Sequence, residues 1–227
     1  MHRSIPLIAL ALAAVTPADA AQNPVVIELF TSEGCSSCPP ADALLTELAQ
    51  TRPDVLPLAF HVTYWNSLGW RDPFSLDLAT ARQRRYARLS GVGGVYTPQA
   101  IVGGTEDVIG SDRAAILHAL QTAAAGAKIP VAVQRTAAGL SIAIGPGPGA
   151  GQVLLVGYDP THRTKVLRGE NAGATLVESN IVRALAVVAE WRGADLTLTP
   201  PPIDGERQAV ILQSSDGRIL GAALVPE

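Results

Sequence analysis

The chain has 227 residues, 48% of them hydrophobic and 16% charged, with a net charge of −3. That apolar content excludes a disordered chain, and 17 Lys and Arg against 20 Asp and Glu give no electrostatic ground for nucleic acid as a partner. Two cysteines, Cys35 and Cys38, are too few for a multi-disulfide scaffold.

Residues 1–20 begin with His2 and Arg3, continue through an apolar run over 5–15 and end in Ala18-Asp19-Ala20. This is the layout of a cleavable export signal, and its apolar run falls short of the roughly 20 residues that a membrane-crossing helix needs. The mature protein is expected in the periplasm or secreted, without a membrane span, where disulfides persist. Residues 25–30 form an apolar run broken only by Glu28, which suits a strand buried on both faces. Pro39 and Pro40 fit a helix start, and Leu44, Leu45 and Leu48 give that helix one apolar stripe. Residues 55–65 read as a second strand and 75–89 as a second helix, with Leu76, Ala79 and Tyr86 on one side. A third strand over 99–102 ends at Gly103-Gly104, with 108–110 as a hairpin partner, and Ser111 caps a helix that runs through Ala125 to Gly126.

After Lys128 the pattern alternates. Val131 and Val133 face Leu140, Ile142 and Ile144 across a turn at Ala138-Gly139, and a Pro/Gly loop occupies 145–151. Strands are expected over 153–158, 164–168 and 172–191, although 181–188 also fits a helix, and 208–213 pairs with 219–225 across Asp216-Gly217. These elements predict an α/β domain over 22–127 and a mostly β, sandwich-like domain over 128–227.

Cys35 and Cys38 fit three roles. As a structural staple, a disulfide closing a loop of about four residues removes ~2 kcal/mol of unfolded-state entropy, against ~3 for a 15-residue loop. As a metal site the pair needs further ligands, and the mature chain offers only His61, His118 and His162, with no methionine; a copper site using His61 is conceivable. As a redox couple, the pair lies between a strand and a helix start, where free amides and the helix dipole stabilise a thiolate. Cys35 is then the exposed attacking thiol and Cys38 resolves the mixed disulfide. His61 sits in an apolar strand, where a packed core histidine and a proton shuttle both fit.

Residues 28–39, ELFTSEGCSSCP, the β-α-β-α-β-β-α order and Tyr96-Thr97-Pro98 together resemble the thioredoxin superfamily. The cysteine stretch and the segment Gly169-Glu170-Asn171-Ala172-Gly173 are similar to exported bacterial thioredoxin-like proteins catalogued as a domain of unknown function. The resemblance implies a cis Thr97–Pro98 bond beside the cysteines, with the Thr97 and Pro98 backbone aligning an extended substrate. It also implies that Glu28 is a buried acid moving protons for Cys38. Trp65 lies in an aromatic cluster with Tyr64, Trp70 and Phe74, which fits both a substrate-binding surface near the site and core packing. Ser36 and Ser37 between the cysteines, with Glu33 ahead of them, predict a less acidic Cys35 than in a strong oxidant. The expected function is exchange of disulfides with a partner protein, needing no cofactor and no metal. A non-catalytic binding protein with a permanent disulfide and a periplasmic copper carrier are the alternatives.

Overall fold

The computed structural model describes residues 23–91 and 93–226; the expected export signal lies outside them. The first half contains β1 (Val25–Thr31), α1 (Pro39–Thr51), β2 (Val55–His61), α2 (Asp77–Ser90), β3 (Gln99–Val102), β4 (Glu106–Ile109) and α3 (Arg113–Ala124). The second contains β5 (Val131–Thr136), β6 (Gly139–Ile144), β7 (Gly151–Lys165), β8 (Thr175–Trp191), β9 (Leu196–Leu198), β10 (Arg207–Gln213) and β11 (Ile219–Leu224). Cys38 is the N-cap of α1, followed by the two prolines where no amide donor is needed.

Three details differ from the sequence reading. The N-cap of α3 is Asp112 rather than Ser111, because its carboxylate accepts the Ala115 N–H at 3.0 Å. The second strand stops at His61, and the chain leaves the sheet through residues 62–76 before returning, where Leu76 N–H donates to His61 O at 3.0 Å. The strands expected over 153–158 and 164–168 are one strand, β7. Register shifts against β8 at Val153/Leu154 and Gly157/Tyr158 change which face a side chain takes, and this breaks the alternation in sequence.

The strands form an eight-stranded sheet, β11-β10-β7-β8-β2-β1-β3-β4, and a three-stranded sheet, β5-β6-β9. The large sheet therefore crosses the expected 127/128 boundary. Its crossing point is the parallel pair Ala59↔Ile181 between β2 and β8. Beside it Asn180, in the left-handed region (φ 51°) that asparagine tolerates, donates its side-chain N–H to Pro57 O at 2.8 Å. A second join links the tips of the two halves, where Ile219 N–H donates to Gly103 O at 2.9 Å. Gly104 there has φ +84°, and a Cβ on it would lie 2.0 Å from Gly217 O, so this approach needs glycine.

Alternation along β1 divides the core. Val25, Ile27 and Leu29 pack with Leu44, Leu45 and Leu48 of α1 and Ile116 of α3. Val26 and Phe30 face the other way, onto Leu58 and Phe60 of β2, Tyr86 of α2, and Val156 and Ile211 from the second half. The small sheet closes a sandwich, with Ile142 and Ile144 against Val153, Leu155 and Val210.

Candidate functional site

Cys35 and Cys38 form a disulfide at the entry to α1. Both residues are 0% exposed, so Cys35 is not the open thiol that its place before the helix suggests. The β7–β8 turn, residues 166–174, lies against the CxxC loop. Asn171 Nδ2 donates to the carbonyls of Glu33 (2.9 Å) and Cys35 (3.0 Å), and the Glu170 carboxylate accepts the Ser36 N–H at 3.1 Å. This bond holds the Glu170 carboxyl below its usual range. The turn reaches this position because Gly169 lies against the 62–76 segment, where a Cβ on it would meet Trp70 Cβ at 3.0 Å. Trp70 in turn donates its indole N–H to Glu33 Oε2 at 2.7 Å. Only Ser36 and Ser37 of the CxxC loop remain exposed.

Thr97–Pro98 is cis. Thr97 Oγ1 donates to Cys35 Sγ at 3.3 Å, and Trp65 Nε1 donates to Thr97 Oγ1 at 2.8 Å. Cys35, Cys38, Thr97, Pro98 and Trp65 thus lie together.

Glu28 does not join them. It projects to the same face of β1 as Val26 and Phe30, whereas α1, which begins beside Cys38, packs on the opposite face with Ile27 and Leu29. Its Oε1 accepts from Arg82 Nη2 (2.8 Å) and from the Tyr86 hydroxyl (2.7 Å), and Gln213 Nε2 donates to that hydroxyl at 2.7 Å. Burial weakens the charge on Arg82, but the Glu28 carboxylate outweighs it and the guanidinium stays protonated. Glu28 is half of a buried ion pair, not the acid beneath the cysteines.

The acids nearest Cys38 come from elsewhere. Asp42 lies one helical turn beyond Cys38, its N–H donating to Cys38 O at 3.1 Å and its Oδ1 accepting the Thr31 hydroxyl at 2.8 Å. Thr31 is paired in the sheet with His61, whose Nδ1 is 2.7 Å from Asp72 Oδ2 and whose Nε2 is 3.8 Å from Glu178 Oε1. Asp72 Oδ2 also accepts the Glu33 N–H at 2.9 Å. All of these groups are buried.

Burial raises the Asp42 pKa to about 7, with His61 and Thr31 pulling the other way. Burial likewise raises Glu178 to about 8 and raises Glu33. For His61 burial opposes the charge, but Asp72 and Glu178 overturn it and hold the pKa at about 10. Burial also acts against the Asp72 carboxylate, and charged His61 outweighs it, keeping Asp72 ionised. His61 Nε2 and both Glu178 carboxylate oxygens have no hydrogen-bond partner among the described residues. Burial thus favours the protonated form of the cluster's acids Asp42, Glu178 and Glu33, and Asp42 lies one helical turn after Cys38. Sequence reasoning missed Asp42, although a lone acid four residues after Cys38 on an apolar helix face was a usable signal. Asp72 and Glu178 carried none, since only the tertiary fold brings them in.

Among the described residues no group of three or more His, Cys, Asp or Glu is arranged to hold a metal ion, and no helix is long and apolar enough to cross a membrane.

No curated protein matches the chain. It is similar to an Agrobacterium tumefaciens protein of known crystal structure, at 32% identity and a TM-score of 0.79, over 93% of this chain and 97% of that one. HBP35 of Porphyromonas gingivalis, at 14% identity and a TM-score of 0.59 over 88% of this chain and 74% of that one, shares the fold alone. The family model described as "Protein of unknown function (DUF1223)" matches residues 26–213, and the chain belongs to that family.

Proposed function

We propose that the protein is an exported thiol-disulfide oxidoreductase whose first half is thioredoxin-like and whose partner is a protein dithiol or disulfide. The observation that carries this reading is the Cys35–Cys38 pair at the entry to α1, with the Thr97 hydroxyl on Cys35 Sγ and buried Asp42 one helical turn after Cys38. Burial raises the Asp42 pKa to about 7, a range suited to taking up and releasing a proton near neutral pH.

In the reductive direction the Cys35 thiolate attacks one sulfur of the substrate disulfide. A mixed disulfide forms, and the other substrate sulfur leaves as a thiolate that takes up a proton. The Asp42 carboxylate then accepts the Cys38 proton, and the Cys38 thiolate attacks Cys35 Sγ. This forms the Cys35–Cys38 bond, breaks the mixed disulfide and releases the reduced substrate. The enzyme dithiol has been oxidised, and a partner dithiol must restore it. Asp42 thus takes the role that the sequence reading gave to Glu28.

One observation favours a second reading, a binding protein with a permanent disulfide: the turn over residues 166–174 leaves Cys35 0% exposed. On the first reading that turn opens during each cycle. Disulfide exchange by the purified mature protein decides between them. The oxidoreductase reading expects catalysis of exchange between a model disulfide and a dithiol, lost in Cys35→Ser. A wild type no faster than Cys35→Ser overturns it.

A further inference from the structure

Trp65 and Thr97 make a directed hydrogen-bond chain that ends on Cys35 sulfur. An indole nitrogen only donates, so the Trp65 bond at 2.8 Å occupies a Thr97 Oγ1 lone pair. The Thr97 hydroxyl has a single proton, and Cys35 Sγ lies 3.3 Å away as an acceptor. The other polar neighbour of Thr97 is the Tyr64 hydroxyl, which gives its own proton to Gln83 Oε1 at 3.2 Å. A phenol oxygen and a disulfide sulfur are both weak acceptors, whereas a thiolate at Cys35 is a stronger one and takes the Thr97 proton.

We infer that Trp65 is a positioning residue, which acts through Thr97 to keep a hydroxyl proton aimed at Cys35 sulfur and so to stabilise that sulfur as an anion. The inference rests on the reading of Cys35 as the reacting sulfur. The effect stands out because two ionised carboxylates at the CxxC loop oppose a thiolate, Asp72 on the Glu33 N–H and Glu170 on the Ser36 N–H, and Glu33, Asp42 and Glu178 join them once deprotonated. The helix N-terminus and buried charged His61 favour one. Ser37 Oγ, 3.4 Å from Cys35 Sγ, is a second hydroxyl in reach, but it lies in the exposed part of the loop.

The test uses the full mature chain with Cys38→Ala, so that Cys35 titrates alone, read by thiolate absorbance and by the pH dependence of alkylation with iodoacetamide. A hydrogen bond to a charged group predicts that Thr97→Val lowers the acid dissociation constant of Cys35 by roughly tenfold or more, while Thr97→Ser, which keeps the hydroxyl, restores it. Trp65→Phe removes the N–H and keeps an aromatic ring. It should lower the constant by about 2- to 5-fold, as expected for a polarising neighbour in a chain. The Trp65→Phe/Thr97→Val double variant should match Thr97→Val alone.

A Trp65→Phe constant equal to that of the parent overturns the inference. So does a Trp65 effect that persists undiminished in the Thr97→Val background, or a Thr97→Ser variant that behaves like Thr97→Val. The shifts appearing in a protein that catalyses no exchange would sink the oxidoreductase reading while upholding this one. Normal exchange with no shift would do the reverse.

Discussion

Two buried polar clusters lie on opposite faces of the same strand, β1. On one face Glu28 meets Arg82, Tyr86 and Gln213, and each group finds a partner. On the other, Thr31 leads to Asp42, His61, Asp72 and Glu178, where His61 Nε2 and the Glu178 oxygens make no hydrogen bond among the described residues, although they pair electrostatically at 3.8 Å. The first cluster also bridges the halves of the molecule, since Gln213 belongs to β10. A closed network of this kind fixes structure, because any member left alone is a buried charge or an orphaned donor. The second cluster is less completely hydrogen-bonded, and its Asp42 lies one helical turn after Cys38.

The comparison can be broken at several points. The largest effect is expected from Arg82→Ala, which leaves the Glu28 carboxylate buried and unpaired and should cost about 3–5 kcal/mol, measured by denaturant unfolding. A loss below about 1 kcal/mol would mean that the pair does not anchor the halves.

The second cluster should be visible as a pH dependence of stability. Asp42, Glu178 and His61 have folded pKa values of about 7, 8 and 10, each raised above the ordinary 3.8, 4.5 and 6.5. The folded chain thus binds these protons more tightly than the unfolded one. The stabilisation is complete below the ordinary values and is lost as pH rises through the folded ones, from about 4 to about 10. Each proton involved contributes a slope of at most about 1.4 kcal/mol per pH unit. The Asp42→Asn/Glu178→Gln variant should lose less stability than wild type between pH 5 and 8. Parallel curves for the two proteins would show that the cluster does not titrate in the folded state.

The smallest effect belongs to the turn that covers the site. Asn171→Ala removes two hydrogen bonds of about 1 kcal/mol each. The turn should open more often, so that dithiothreitol reduces the cystine up to about 30-fold faster. An unchanged rate would mean that the Asn171 amide does not hold the cover closed.

Much of the first half was legible in the sequence because its helices and strands have strong periodicity. Leu44, Leu45 and Leu48 on α1 and the apolar run of β1 are in the core as their spacing implies. The long strand β7 was not, because its bulges shift the alternation. Cys35 and Cys38 were legible as a local motif, whereas Thr97-Pro98, 62 residues from Cys35, was joined to them only by the resemblance to the thioredoxin superfamily, and Trp65 by its aromatic cluster after the second strand. Glu28 was misread for a long-range reason: its partner Arg82 is 54 residues away, and only the pleat of β1 shows which face it takes. The cover escaped for the same reason, since Asn171 and Cys35 are 136 residues apart.

The sheet that crosses the boundary between the halves has a consequence for how the chain comes apart. Strand β2 lies between β1 and β8, so its hydrogen-bonding edges are shared by both halves. Val156 and Ile211 from the second half sit in one core with Phe30 and Phe60 from the first. The halves therefore melt as one cooperative unit and not as two modules in series. Detached, the first half would present the edge of β2 to any strand that met it, an invitation to aggregate.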